Sequence, residues 1–152
     1  MTLAGLNGTY KAPILENVKI DEVVGEIAYK INNTQSIADL WTSQKSFDSH
    51  VTKRAALGHI TDTEDYKRKI SHSLANSTQY SLALGGNIEL MELRSKNWSV
   101  IFNGRGEIKT AYKIEPDMAS FKSNHQRLGY QVYEDNISDR IRKELKRLFG
   151  SR

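Results

Sequence analysis

The chain has 152 residues, 38% of them apolar and 26% charged, with a net charge of +4 and a pI near 9.2. That length buries a sizeable core as one domain, and the composition is that of a globular chain rather than a disordered one. With no cysteine, the chain has no disulfide, no thiolate nucleophile and no cysteine zinc site.

The opening MTLAGLNGTYKAP reads as loop and lacks the charged-then-apolar pattern of a signal peptide, so no export signal is expected in it. KIDEVVGEIAYKIN places Ile20, Val23, Val24, Ile27 and Ile31 at helical spacing and predicts a helix near 20–32. NNTQS ends it, and SIADLW adds a further helical turn or two. SQKSFDSHVTKRAALGH predicts a helix from about Ser43 to Leu57, with Phe47, Val51 and Ala55 on one face and Gly58 as its stop. Thr61 and Glu64 stand in capping-box spacing before a helix of about 62–75 whose apolar stripe is Tyr66, Ile70 and Leu74.

STQYSLALGGN reads as a loop with room for one short extended piece. The period then changes, and IELMELR, WSVIFN and EIKTAYKI predict antiparallel strands at about 87–94, 98–103 and 107–114. NGRG between the second and third is a hairpin signal, because glycine tolerates the positive φ such turns need. In the third strand Ile108, Thr110 and Tyr112 fall on one side by alternation, Lys109 and Lys113 on the other. DMASFKSNHQRLG reads as loop, and YQVYE adds a fourth strand. NISDRIRKELKRLFG predicts an amphipathic helix through Ile137, Ile141, Leu145 and Leu148, closed by Gly150. The class is α+β in one domain: helices over about 14–76, a twisted antiparallel sheet over about 87–134, and a C-terminal helix over about 137–149.

The excess charge lies at one end. Residues 120–152 hold eight basic and four acidic side chains, and the remainder balances at fourteen of each. A basic end suits an acidic partner such as nucleic acid, or is simply a solvated helix face. Two clusters carry potential chemistry. His50, Lys53 and Arg54 share one helix face at i, i+3 and i+4. Lys109, Thr110, Tyr112 and Lys113 share a strand. RNA cleavage without a metal needs a base for the ribose 2′-hydroxyl, an acid for the leaving 5′-oxygen, and donors for the charge on phosphorus. Histidine suits the proton transfers, and lysine, arginine, threonine and tyrosine suit the phosphate. The bland alternatives are a packed or surface histidine, ordinary β-propensity at Thr110 and Tyr112, and solvated lysines. His59, His72 and His125 fit those alternatives better, although His125 sits in a basic loop.

The order FDSHVTKR…GHITDTEDY, then ELMELR, then NWSVIFNGRGEIKTAYKIEPD resembles the RNase toxins of the barnase/EndoU/colicin/RelE superfamily. The G-x-I-x-T-x-Y pattern of a late strand is here Gly106, Ile108, Thr110 and Tyr112, and VIFNGRGEIKTAYKIEPD is similar to the end of the colicin D nuclease. The likeness covers roughly residues 45–117. It implies an antibacterial toxin domain of the colicin D or contact-dependent growth inhibition type. Such a domain is carried as C-terminal cargo of a larger secreted effector and acts in the cytoplasm of the target bacterium. The substrate implied is tRNA, cut without a metal or cofactor to a 2′,3′-cyclic phosphate and a 5′-hydroxyl. A cognate immunity protein blocks the site, and some such toxins also use elongation factor Tu.

By the same resemblance His50 is the base or acid, Arg54 and Lys53 hold the scissile phosphate, Thr110 and Tyr112 donate to it, and Lys109 or Lys113 supplies charge. Arg94, Asn97 and Arg105 are further RNA-binding candidates. The basic tail, 118–152, and the helical residues before His50 have no counterpart in the short family core; the expectation for the tail is packing plus some tRNA contact. A second reading is a non-catalytic RNA- or protein-binding module that uses the same lysines, Tyr112 and the basic C-terminal region. A metal-dependent nuclease fits less well, because the four histidines lack ligand spacing.

Overall fold

A computed structural model describes residues 8–34, 36–85 and 88–152. Helix α1 spans Gly8–Asn32, α2 Gln44–Ala56, α3 Thr63–Ala75, α4 Phe121–Arg127 and α5 Asp139–Phe149. The strands are β1 Gln79–Leu84, β2 Ile88–Arg94, β3 Trp98–Asn103, β4 Ile108–Lys113 and β5 Gln131–Asn136, all antiparallel in the order β4-β3-β2-β1-β5. Helices, sheet and C-terminal helix follow one another as an α+β fold.

The apolar stripes of α1, α3 and α5 pack on one face of the sheet. Ile27, Ile31, Tyr66, Ile70, Leu74 and Leu145 are all but inaccessible there, against Leu82, Met91, Leu93, Val100 and Phe102 from the strands. All four predicted contacts of α5, from Ile137 to Leu148, are buried, so its basic residues form the opposite, solvated face. Truncating Leu93 to alanine in this layer is expected to cost about 2–5 kcal/mol, read as a lower urea midpoint.

Local chemistry accounts for the helix ends. Gly58 has φ 79°, Gly58 N–H donates to Ala55 O and His59 N–H to Arg54 O, a Schellman ending that turns the chain out of α2. The box opening α3 is shifted by one residue from expectation: Asp62 accepts from Asp65 N, and Asp65 in turn accepts from Thr61 N. The SIADLW segment forms a 3-10 turn, Ile37–Leu40, capped by Ser36.

Other expectations need correction. Helix α1 begins at Gly8 rather than near 20, so the opening loop is replaced by helix over 8–13, while residues 1–7 lie outside the described residues. Once nucleated, a helix elongates at one hydrogen bond per residue fixed. STQYSLALGGN is largely strand β1, internal to the sheet between β2 and β5. Its consecutive residues Tyr80 to Ala83 are all buried, because both faces are covered, so no alternation marks it as a strand. The DMASFKSNHQRLG loop contains α4, too short for a periodic signal but anchored by buried Phe121 and capped by Ser120. Ala55 is exposed on α2; the face that turns inward runs through Phe47 and Val51 to Arg54.

The β3–β4 hairpin positions the candidate site. Gly106 N–H donates to Asn103 O and Asn103 Oδ1 accepts from Arg105 N and Glu107 N. Gly106 takes φ 79°, as the left-handed residue after a tight turn does, whereas Gly104 keeps ordinary φ. The register then slips between Ile101 and Phe102, which leaves Lys109 as the extra residue of a bulge. Ile108 therefore pairs opposite Phe102 on the core side, while Thr110 pairs opposite Ile101 on the other. Simple alternation had put Ile108 with Thr110 and Tyr112; one inserted residue exchanges the faces.

Candidate functional site

Helix α2 runs alongside the free edge of β4. Trp41 makes a parallel bridge to Ile108, and Thr42 N–H donates to Ile108 O. Further along, Arg54 Nε donates to Ala111 O at 2.9 Å and Arg54 Nη2 to Thr110 Oγ1 at 3.0 Å. The guanidinium carbon also lies 5.9 Å from the centre of the Tyr112 ring, within cation–π range. Tyr66 OH donates to Ala111 O at 2.6 Å. Burial raises the Tyr66 pKa to about 12, so the phenol keeps its proton and remains a donor. The outward carbonyl of an edge strand is thus closed by two side chains. Tyr66→Phe removes one of them and leaves Arg54 on the carbonyl, so the expected loss is about 0.5–1.5 kcal/mol in urea unfolding.

His50 stands one helical turn before Arg54, about 6 Å along the axis. Its ring is tilted against Trp41 at 5.1 Å, and its Nδ1 lies 2.7 Å from Ser46 O. A carbonyl only accepts, so Nδ1 carries the proton and neutral His50 presents its lone pair on Nε2. Burial is the main cause of a lowered His50 pKa, with Arg54 and Lys53 adding to it against the Ser46 bond. The unfolded chain therefore takes up a proton near 6.5 that the folded chain refuses until lower pH. Stability is expected to fall as pH drops through that window and to level off below the folded value. Urea midpoints from pH 8 to 5 for the wild type against His50→Gln check this, since the variant loses the term.

Thr110 and Tyr112 belong to a polar stripe on the sheet face away from the main core. Tyr112 pairs opposite Ser99, whose hydroxyl lies beside the phenol, while burial keeps the phenol's pKa above its ordinary value. Ser99 Oγ donates to Glu92 at 2.6 Å, and Ser81 Oγ lies 3.2 Å from the other Glu92 oxygen. Glu92 is only 2% exposed, and an Arg94 nitrogen approaches it at 4.0 Å. A buried carboxyl group, bonded by Ser99 and sharing the Ser81 hydroxyl with Glu134 at 3.1 Å, underlies the site, and neither Glu92 nor Ser99 stands out in the sequence. In IELMELR the glutamate reads as the solvent-facing residue of an alternating strand.

The structure joins His50, Arg54, Thr110 and Tyr112 into one constellation along the β4 edge. Lys53 and Lys109 flank it as exposed side chains. Arg94, Asn97 and Lys113 gather elsewhere, with Gly58 and His59, around an open cleft of about 1430 Å³ at the far end of β4. Arg105 joins neither group. It sits on the hairpin beyond the other end of β4, paired with Glu107 at 2.9 Å, with the whole strand, about 16 Å long by its rise, between it and Lys113. His125 stacks on Phe121 at 4.1 Å and packs with α4 over the β1–β5 side, away from β4. His59 is bridged to Glu115 at 2.9 Å on the cleft rim.

The comparisons with known proteins extend over most of this framework. The chain is similar to Uncharacterized protein MJ1566 of Methanocaldococcus jannaschii, with 33% identity over 86 residues, 57% of this chain and 18% of that protein. It therefore spans less than a fifth of the length of that curated relative. No solved structure matches the chain. Residues 31–151, which run from the end of α1 through α5 and include every residue of the constellation, match the family described as Uncharacterised protein aq_aa01. This chain is a member of that family.

Proposed function

We propose that the chain is a metal-independent endoribonuclease of the toxin type, cutting tRNA by transphosphorylation at the β4 edge. One observation carries the reading: Arg54 is seated on Thr110 and over Tyr112, one turn from a histidine with a free Nε2. His50 Nε2 takes the proton of the ribose 2′-hydroxyl. The 2′-oxygen then bonds to phosphorus as the P–O5′ bond breaks, and the 5′-oxygen leaves with a proton. We assign that proton to the Tyr112 phenol, which burial keeps neutral and whose ring lies under the Arg54 guanidinium. Arg54 uses two guanidinium N–H groups to hold its place on β4 and has further N–H groups for phosphate oxygens. Thr110 and the flanking Lys53 and Lys109 add donors and charge.

The resemblance stated above supports the biological setting: cargo of a larger effector, tRNA as substrate, a cognate immunity protein, and elongation factor Tu as an accessory. The test is purified protein with total bacterial tRNA in EDTA, resolved on a denaturing gel with and without elongation factor Tu. Discrete fragments ending in cyclic phosphate, absent with His50→Ala, support the reading. RNA left intact throughout overturns it in favour of a binding module, in which Arg54 serves only to fasten α2 to the sheet.

A further inference from the structure

The cleft at the end of β4 was foreshadowed only by Arg94, Asn97 and Lys113, yet α3 builds one whole wall of it. Asp65, Arg68, Lys69, His72, Ser73 and Asn76 recur at three- and four-residue intervals along that helix and all line the cleft. The opposite wall is the β2–β3 turn, with Lys96 and Asn97, and the end of β4, with Lys113.

The charges are unbalanced. Asp65 is occupied by Lys69 at 2.8 Å and by Arg68 at 3.5 Å, a grip that holds its carboxyl below the usual range. Lys96 and Lys113 have no acidic partner among the described residues, and both are exposed. Arg94 is shared between Gln79 and the distant edge of Glu92. Helix α5 continues the basic surface, because Lys146 Nζ reaches Asn76 Oδ1 on the cleft wall at 3.5 Å.

Size separates the possible anions. At about 1430 Å³ the cleft exceeds the about 300–1,000 Å³ typical of small-molecule sites, and it is open, with charged, amide and hydroxyl side chains set around apolar surface that includes Trp98 and Ile114. We infer that it is a backbone-docking site for RNA, gripping successive phosphates between α3 and the β2–β3 turn and passing the strand along α2 to the β4 edge. This rests on the ribonuclease reading for its substrate class and goes beyond it in assigning Arg68, Lys69, Lys96 and Lys146 to the interface.

The test separates binding from cleavage. Fluorescence anisotropy of labelled tRNA is followed against salt, with every protein carrying His50→Ala so that no RNA is consumed. Charge reversal of the two unpaired lysines, Lys96→Glu with Lys113→Glu, is expected to weaken binding at least about tenfold near 0.1 M salt. It should also flatten the plot of log affinity against log salt by about two, one per lost phosphate contact. The control reverses Lys122 and Arg127 on α4, which packs over the β1–β5 side away from the cleft, and is expected to weaken binding by much less than the cleft pair does. Equal weakening by the two pairs shows only a net-charge effect and overturns the inference. Unchanged RNA affinity in the cleft pair overturns it too, and leaves the cleft to an acidic protein surface. Normal cleft-dependent binding by a protein whose His50 form cuts no RNA would sink the ribonuclease reading alone.

Discussion

His50→Ala is expected to lower tRNA cleavage by about 10²–10⁴-fold, the usual contribution of a positioned acid–base group, while the fold survives. The ring is half-buried and leans on Trp41, so its truncation removes some packing and the Nδ1–H bond to Ser46 O, but no buried charge. A stability change of no more than about 1 kcal/mol should accompany the kinetic loss. His50→Gln sharpens the test, because it keeps a donor for Ser46 O and much of the contact with Trp41 but offers no base. Both variants should fail alike in cleavage.

The wild-type rate should also carry an acidic limb. Below the lowered pKa of His50 the Nε2 lone pair is lost, so kcat/KM should rise with pH through a value under 6.5 and be flat above it on that side. Cleavage by His50→Gln at the wild-type rate would remove the histidine from the chemistry. A limb centred above 6.5 would contradict the burial and the Arg54 and Lys53 charges that surround it.

The largest effect on stability is expected at Gly106. A Cβ there would lie 2.9 Å from Glu26 Cβ, 3.0 Å from Ile27 N and 3.2 Å from the Glu26 carbonyl carbon. Two of those three atoms are helix backbone, which cannot step aside as a side-chain tip can. The residue also has φ 79°, where an L side chain costs about 1–2 kcal/mol. Overpacking adds about 1–3 kcal/mol, so Gly106→Ala should lose roughly 2–5 kcal/mol in urea unfolding.

Gly58 supplies the comparison. It has the same φ of 79° but nothing within 4 Å of an added Cβ, so Gly58→Ala should show the backbone cost alone. The difference between the two variants measures the docking of the β3–β4 hairpin against α1. Equal losses would mean that the hairpin tip does not press on that helix. The docking matters to function because the hairpin sets where β4 begins and hence where Thr110 and Tyr112 face.

Much of this was legible beforehand, and the legible parts share a cause. Helices α2, α3 and α5 each bury one stripe, and a stripe of period near 3.6 is written in the order of residues. Strands β3 and β4 are marked by their glycine turn. The local partners of the site are likewise visible as His50 and Arg54 on one helix and Thr110 and Tyr112 on one strand. The α3 wall of the cleft was not singled out, because its polar residues run beside the apolar stripe that marks the helix.

What the order of residues did not disclose depends on which segments lie side by side. Strand β1 is covered on both faces and so shows no alternation. The bulge at Lys109 is a property of the pairing between β3 and β4, and it alone puts Ile108 into the core and Thr110 on the other face. Glu92 looks solvated until Ser81, Ser99 and Arg94 arrive from neighbouring positions on three strands. The α+β class, the faces of the helices and the residue types available for chemistry were readable in the chain, because these follow from local periodicity and turn geometry. That Arg54 reaches Thr110 across 56 residues, and that Arg105 stands apart while Arg94, Asn97 and Lys113 meet, came from the packed fold, because strand pairing and register set those distances.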